Sequence, residues 1–251
     1  MNAVKVCPRP SPIVRAANCV DCWLISLAAF PDDADHFAFA LLSDDERNRA
    51  TRFHFKRDRN FYVRRHAALR LLLARYLTMK PAAITFAANG SGRPTLAGDP
   101  EELQFNLSHS ADAALLAVSR GSALGVDIER IREVSDMIAI AERNFAPTEF
   151  APLLRLNSEQ QTDGFFVTWT RKEAFLKGLG LGLSSRLDAI CTGRQDRPPR
   201  VTIDGVACGG WTIADLSPLE GYKAAVAVRP TDVAVHCQEI SWQQLLKSGE
   251  N

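Results

Sequence analysis

Ala113-Ala114-Leu115-Leu116-Ala117-Val118-Ser119, a turn at Gly121-Ser122, and then Leu124-Gly125-Val126-Asp127-Ile128-Glu129 decide how this chain folds. Ala113 to Val118 is apolar at every position, so neither face of the strand it predicts meets water, and it belongs in the middle of a sheet. The second segment alternates: Val126 and Ile128 face one side, Asp127 and Glu129 the other. Phe105–Leu107 precedes them as a further strand, with Ser108–Asp112 read as the loop between.

Toward the N-terminus, Val20–Leu27 is a strand candidate. Residues 1–18 carry Pro8, Pro10 and Pro12 without periodicity and read as a loose arm. Ser43 followed by Glu46 three residues on is a capping-box pattern. From there to Tyr76 the chain is helical in character, in two helices, with Leu69, Leu72, Leu73 and Tyr76 at helical spacing. Pro81 closes that region. Ile84–Ala87 is a short strand candidate, Asn89-Gly90-Ser91-Gly92 a turn, and Arg93-Pro94 its exit.

Toward the C-terminus, helical patterns cover Ser135–Phe145, Pro147–Leu156 and Ser158–Lys177. Gly178, Gly180 and Gly182 end the last of them. Val201–Ile203, Trp211–Ala214 and Lys223–Val228 alternate as strands do. Short strands and long helices mix without a βαβ rhythm, which predicts an α+β fold. Strand, helices, strands occur once before Gly121 and again after it, suggesting two halves at 19–122 and 123–251.

Bulk properties narrow the classes. Across 251 residues the formal net charge is +1, which argues neither for nor against a polyanionic partner. No apolar run approaches the ~18 residues that span a membrane. Asp21 beside the late, short apolar run at 23–27 argues against a secretory leader. Cys19 and Cys22 form a lone C-x-x-C pair with no second pair or histidines at zinc spacing. Six scattered cysteines suit a reducing cytosol better than a disulfide scaffold, so a cytoplasmic protein is expected.

The chemistry-bearing residues fall in three places. Asp127 and Glu129 project together from a strand, and two like charges ~4 Å apart repel by about 4 kcal/mol at an effective dielectric of 20. A hard divalent cation relieves that; so does a solvated face paired to Arg130 or Arg132. Trp169, Glu173 and Lys177 stand four apart on one helix face, which equally describes an ordinary surface Glu–Lys pair beside a half-buried Trp. Ser108 and His109 follow each other on an extended chain and point apart, so they are not a nucleophile and its base. Arginines crowd residues 47–75; a nucleic-acid surface is conceivable, but interleaved acids favour a solvated face with a few arginines reserved for phosphate.

Taken in order, Phe105-Asn106-Leu107-Ser108-His109-Ser110, Gly125-Val126-Asp127-Ile128-Glu129 and Trp169-Thr170-Arg171-Lys172-Glu173-Ala174-Phe175-Leu176-Lys177 resemble the three signature segments of the 4'-phosphopantetheinyl transferases, in particular the large surfactin-synthetase-activating (Sfp-like) type. The resemblance spans residues 43–190. It implies a pseudo-dimeric fold of two similar α+β halves in one chain, with coenzyme A in the cleft between them. It implies transfer of the phosphopantetheine arm to a serine of an apo acyl or peptidyl carrier protein, with Mg²⁺ and release of 3',5'-ADP.

Residue by residue, it implies Asp127, Glu129 and Glu173 as metal ligands, Lys177 at the phosphates, and Ser108 and His109 on coenzyme A phosphates. It also implies Arg93 and Pro94 near the nucleotide and Arg49 at the 3'-phosphate. Glu173 is then the candidate general base, with Lys177 its catalytic partner. A second basic position of the family, three residues before Arg49, is Glu46 here, with Arg47 or Arg52 as the substitute. Arg93 stands where the family has lysine. The helix after the acidic strand, with Met137, Ile138 and Phe145, lies near where the family docks its carrier, although the three residues read more readily as core; Arg130, Arg132 and Arg143 suit an acidic partner. A monomer is expected, with neither nucleic acid nor membrane as partner. The alternative is a coenzyme A-binding module that catalyses nothing.

Overall fold

The computed structural model describes residues 6–7, 19–31, 34–88, 93–98, 103–181, 186–194, 196–216, 219–231 and 233–247. Most of the arm expected over 1–18, the turn at Asn89–Gly92 and Gly182 lie outside them. Within the arm, β1 (Val6–Cys7) is an edge strand. The order continues with β2 (Cys19–Ser26), α1 (Asp35–Ala40), α2 (Asp44–Ala50), α3 (Lys56–Leu77), β3 (Phe86–Ala88), β4 (Pro94–Leu96), β5 (Leu103–Ser110), β6 (Ala113–Arg120) and β7 (Ala123–Arg130). Then come α4 (Met137–Asn144), α5 (Pro147–Leu153), α6 (Ser158–Leu179), β8 (Ile190–Cys191), β9 (Thr202–Ile203), β10 (Val206–Ala207), β11 (Thr212–Leu216), β12 (Tyr222–Arg229), β13 (Ala234–Glu239) and α7 (Trp242–Leu246). The fold is α+β.

Two sheets face each other. One runs β1-β13-β2-β6-β5, the other β11-β12-β7. The apolar run of β6 explains the first: Ala114, Leu116 and Val118 pack toward α3, while Ala113, Leu115 and Ala117 pack toward the second sheet. Leu124, Val126 and Ile128 of β7 meet them from across the interface. On its other side the second sheet carries α6, through Ala225, Ala227 and Ile213 against Ala174 and Phe175. The layers are therefore helix, sheet, sheet, helix, and α3 and α6 are each 22 residues long. Burial of these clusters contributes roughly 25 cal/mol per Å² of apolar surface removed from water.

Local chemistry sets the helix ends. Ser43 Oγ accepts from the Glu46 amide at 3.3 Å while Glu46 Oε2 accepts from the Ser43 amide at 2.8 Å, the capping box expected for α2. Asn157 caps α6 by accepting from Gln160 N at 2.9 Å. At its far end the left-handed residue is Gly180, φ 71°. Gly178 serves a different purpose from the helix stop expected of it. It lies inside α6, where a Cβ would come within 2.7 Å of the Trp211 ring. Gly125 is its counterpart on β7: a Cβ there would collide with Ala174 O and the Gly178 amide, so only glycine lets α6 approach this closely.

Several expectations are corrected. The loop expected at Ser108–Asp112 is shorter, because β5 continues to Ser110 and only Ala111 and Asp112 turn. Of the two readings of the helix after β7, the core reading holds for Phe145, 2% exposed in a cluster with Phe165 and Trp169, and for Met137, which packs on the same cluster. The 47–75 arginines do not form one solvated face. Arg64 and Arg70 are buried, Arg64 on Asp35 and the Leu27 carbonyl, Arg70 on Glu46 and the carbonyls of Pro81 and Ile84. The 234–239 strand and the 242–246 helix were not foreseen. Cys19 and Cys22 both lie on β2, on opposite faces, and the Cys22 thiol is free.

Candidate functional site

The second sheet ends at β7 and the first at β5, and these two edges lie side by side without a backbone ladder. Side chains of β5 close the gap. Asn106 Oδ1 accepts from the Val126 amide at 2.8 Å, Ser108 Oγ from Ile128 N at 3.4 Å and Ser110 Oγ from Arg130 N at 3.2 Å. Every second residue of β5 thus satisfies every second amide of β7, which otherwise would be buried donors without partners. The same hydroxyls reach the carboxylates: Ser108 Oγ donates to Asp127 Oδ1 at 2.9 Å and Ser110 Oγ to Glu129 Oε2 at 2.7 Å.

Asp127 and Glu129 lie on the face of β7 that meets α6. From that helix Lys177 Nζ donates to Asp127 Oδ1 at 2.6 Å and to Ser108 Oγ at 3.1 Å. Glu173 sits one turn earlier, its Oε1 buried with no hydrogen-bond partner, as is Asp127 Oδ2. Burial pushes the Asp127 carboxyl up, opposed by Lys177. Burial and the charge of Asp127, against the pull of Lys177, push the Glu173 carboxyl up to about 7. Glu129 is half-buried and 3.7 Å from Arg132.

Among the described residues no three His, Cys, Asp or Glu side chains converge at metal-holding distance; Asp127 is turned to Lys177 and Glu129 to Ser110. The residues nonetheless fit a hard divalent cation. The donor set is all carboxylate, two buried oxygens lack partners, and the Glu173 carboxyl is held up by burial and by its like-charged neighbours.

His109 leaves β5 on the opposite face from Ser108, toward α3. It lines a cavity of about 530 Å³ with Phe53, Arg57, Phe61, Arg65 and Arg130. Its surroundings and the charges of Arg65 and Lys177 bring the imidazole down to about 4. A second hollow, sharing Phe53, is lined by Asp45, Asn48, Arg49 and Arg52. Arg49 is exposed, its guanidinium 5.8 Å from the Tyr62 ring centre. Arg93 donates to the carbonyls of Lys177 (2.6 Å), Phe105 (2.6 Å) and Leu124 (3.1 Å), tying β5, β7 and α6 together. Pro94 begins β4 and is exposed. The structure thus gathers Ser108, Asp127, Glu129, Glu173 and Lys177, sets Arg93 behind them, and places His109 and Arg49 toward α3.

Glu46 is committed elsewhere. It meets His66 Nδ1 at 3.0 Å and Arg70 Nε at 2.8 Å. Arg47, expected as a substitute cation, donates to the carbonyls of Phe39 and Ala40, which leaves Arg52 of the two beside Arg49. Sequence reasoning did not single out Asn106 and Ser110, although their alternation with Ser108 was the available signal. It also passed over Glu149 and Lys172. These form a fully buried 2.8 Å ion pair that joins α5 to α6, with Thr192 donating to the same carboxylate.

The family model of the 4'-phosphopantetheinyl transferase superfamily matches residues 123–227. That of the 4'-phosphopantetheinyl transferase N-terminal region matches 31–121. The chain is 34% identical over 223 residues to the 4'-phosphopantetheinyl transferase HetI of Nostoc sp., covering 88% of this chain and 92% of that one. It is 29% identical over 210 residues to the 4'-phosphopantetheinyl transferase Sfp of Bacillus subtilis, covering 82% and 91%. To the L-aminoadipate-semialdehyde dehydrogenase-phosphopantetheinyl transferase of Mus musculus it is 27% identical over 261 residues, covering 96% and 82%.

Proposed function

This chain belongs to the 4'-phosphopantetheinyl transferase superfamily, and from that premise we propose that it transfers the 4'-phosphopantetheine arm of coenzyme A to a serine hydroxyl of an apo carrier protein, releasing 3',5'-ADP, with Mg²⁺ as cofactor. The observation that carries this reading is the convergence of Ser108, Asp127, Glu173 and Lys177 where β5, β7 and α6 meet.

The serine oxygen forms a bond to the β-phosphorus of coenzyme A, the bond from that phosphorus to the bridging oxygen breaks, and the pair leaves with 3',5'-ADP. Such transfers depend on positioning and charge neutralisation more than on covalent help from the protein. Asp127, Glu129 and Glu173 would hold the divalent cation, which supplies positive charge to the pyrophosphate. Lys177 adds its ammonium to the same oxygens, and its bond to Asp127 and Ser108 holds it in place. Glu173 is the candidate base for the serine proton, directly or through a water that the cation would hold. Ser108 and His109 face opposite sides of β5, so one strand can present groups to two parts of coenzyme A.

The partner is an acyl or peptidyl carrier protein, and the site is assembled within one chain, in keeping with a monomer. Cys22, Cys191, Cys208 and Cys237 are free thiols, as suits the cytoplasm, and no described helix is long and apolar enough to cross a membrane.

Intact mass of an apo carrier after incubation with this chain, coenzyme A and Mg²⁺ tests the proposal. A gain of one phosphopantetheine arm, lost with EDTA, supports it. No gain across several carrier types, with coenzyme A still bound, replaces it with a binding module.

A further inference from the structure

The register of β7 on β12 sets Lys223 opposite Glu129 and Ala225 opposite Asp127. Opposite residues of an antiparallel pair share a face, with Cβ atoms typically ~4.5–5.5 Å apart. Ala225 packs against α6, so Lys223, two residues away on the same strand, also lies on the face that meets α6. A lysine therefore stands beside one of the three carboxylates proposed to hold the cation, and opposite charges so placed attract each other.

Lys223 is nonetheless directed elsewhere. Its Nζ lies 2.6 Å from Asp163 Oδ1 on α6, with the two side chains 29% and 52% exposed. Asp163, Thr170 and Lys177 recur at seven-residue steps, which places Asp163 on the helix face that carries Lys177 to the sheet. Two ion pairs of opposite polarity thus join α6 to the sheet, each at 2.6 Å: Lys177 to Asp127 on β7, and Asp163 to Lys223 on β12. Glu129 lies between them, two residues along β7 from Asp127 and across the ladder from Lys223. It accepts from the neutral Ser110 hydroxyl at 2.7 Å, while Arg132, mostly exposed, stands off at 3.7 Å. An ammonium seated on Glu129 would occupy an oxygen that a hard cation needs and would repel that cation as well.

We propose that Asp163 is a positioning residue for the cation site: by holding the Lys223 ammonium, it keeps that charge off Glu129 and leaves the carboxylate for a divalent cation. The inference rests on the functional reading above for Glu129 as a ligand. Asp163 touches neither the cation nor coenzyme A in this role; it acts through Lys223. Both side chains meet solvent, where ion pairs are weak, so the effect is a modest change of affinity and the fold does not depend on it.

Binding of Mn²⁺ to the full chain without coenzyme A, followed by the electron paramagnetic resonance signal of the free ion, tests this. Asp163→Asn is expected to weaken Mn²⁺ about three- to fivefold, the scale on which exposed charge pairs act. Lys223→Met is expected to bind at least as tightly as the wild-type protein, and the double variant to follow Lys223→Met, because the released ammonium is what does the harm. Glu159→Gln, an exposed acid one turn earlier on α6, changes net charge equally and is expected to leave the affinity as it is. Thermal melts check that each variant is folded. Unaltered affinity in Asp163→Asn overturns the inference. So does a double variant as weak as Asp163→Asn, which would assign the loss to the missing carboxylate itself, or a Glu159→Gln protein just as weak, which would make it a matter of net charge. A wild-type chain that binds no Mn²⁺ sinks the metal assignment and this inference with it. The expected pattern in a chain that modifies no carrier upholds Asp163 and sinks the transferase reading instead.

Discussion

Ser108 Oγ donates to Asp127 Oδ1 at 2.9 Å and accepts from the Lys177 ammonium at 3.1 Å. One hydroxyl therefore sits between an anion and a cation, and it also accepts from the Ile128 amide. Ser108→Ala removes all three contacts. Hydrogen bonds to charged groups contribute about 1.5–3 kcal/mol each. The variant is expected to lose ten- to hundredfold in kcat/KM for coenzyme A and only a few degrees in Tm, with Ser108→Thr keeping most of both. A Tm loss with unaltered kinetics would show that the hydroxyl only joins the sheets.

Glu173 carries a charge that the fold disfavours. Its carboxyl is raised from 4.5 to about 7, so the protonated form is favoured in the folded state and stability declines as pH rises from 4.5 through 7. Glu173→Gln is neutral throughout. In EDTA at pH 8 it should melt above the wild-type protein, and the gap should shrink as pH falls toward 4.5, while transfer of the phosphopantetheine arm is lost. Equal melting temperatures at pH 8 would contradict the buried, unpaired carboxylate.

Gly125→Ala forces a methyl group into the Ala174 carbonyl and the Gly178 amide. Backbone on both sides cannot yield as a flexible side chain would, and overpacking of this kind costs about 3 kcal/mol or more. For a chain of this size that is on the order of 10 °C in Tm. A thermal melt within 2 °C of wild type would mean that α6 can lift from β7.

Burial alone would raise the Glu46 carboxyl, but bonds from His66 and the Ser43 amide and the charges of His66 and Arg70 bring it down to about 2. Its folded value is depressed, so its contribution is present above 4.5 and is lost as pH falls toward 2. Glu46→Gln should cost about 3 kcal/mol in urea unfolding at pH 7, since it leaves Arg70 buried without its anion. The difference from wild type should narrow between pH 4.5 and 2. A constant difference across that window would assign the loss to the cap alone.

What the sequence discloses is uneven, for physical reasons. β6 is legible because apolar residues on both faces have few other destinations, and α3 and α6 because long amphipathic periods survive local noise. The carboxylates of β7 are legible from alternation alone. The end of β5 is not: Asn106, Ser108 and Ser110 look like loop chemistry, yet they are polar because their face meets the unpaired amides of β7. α1 is only six residues long, too short for a periodic signal. β13 has a mixed pattern, and its pairing with β2 is a tertiary fact.

β13 lies parallel to β2, with Cys22 opposite Cys237, between β2 and the edge strand β1. As the polypeptide emerges from the ribosome, β2 is available early and its neighbour roughly two hundred residues later. The first sheet therefore waits, with one side of β2 open, until about two hundred further residues have been added. A contact so distant along the chain is slow to close, and an open apolar strand is what holding chaperones recognise. The sheet that carries Ser108 is thus completed by a strand made about two hundred residues after β2, which ties the maturing of the site to the arrival of β13.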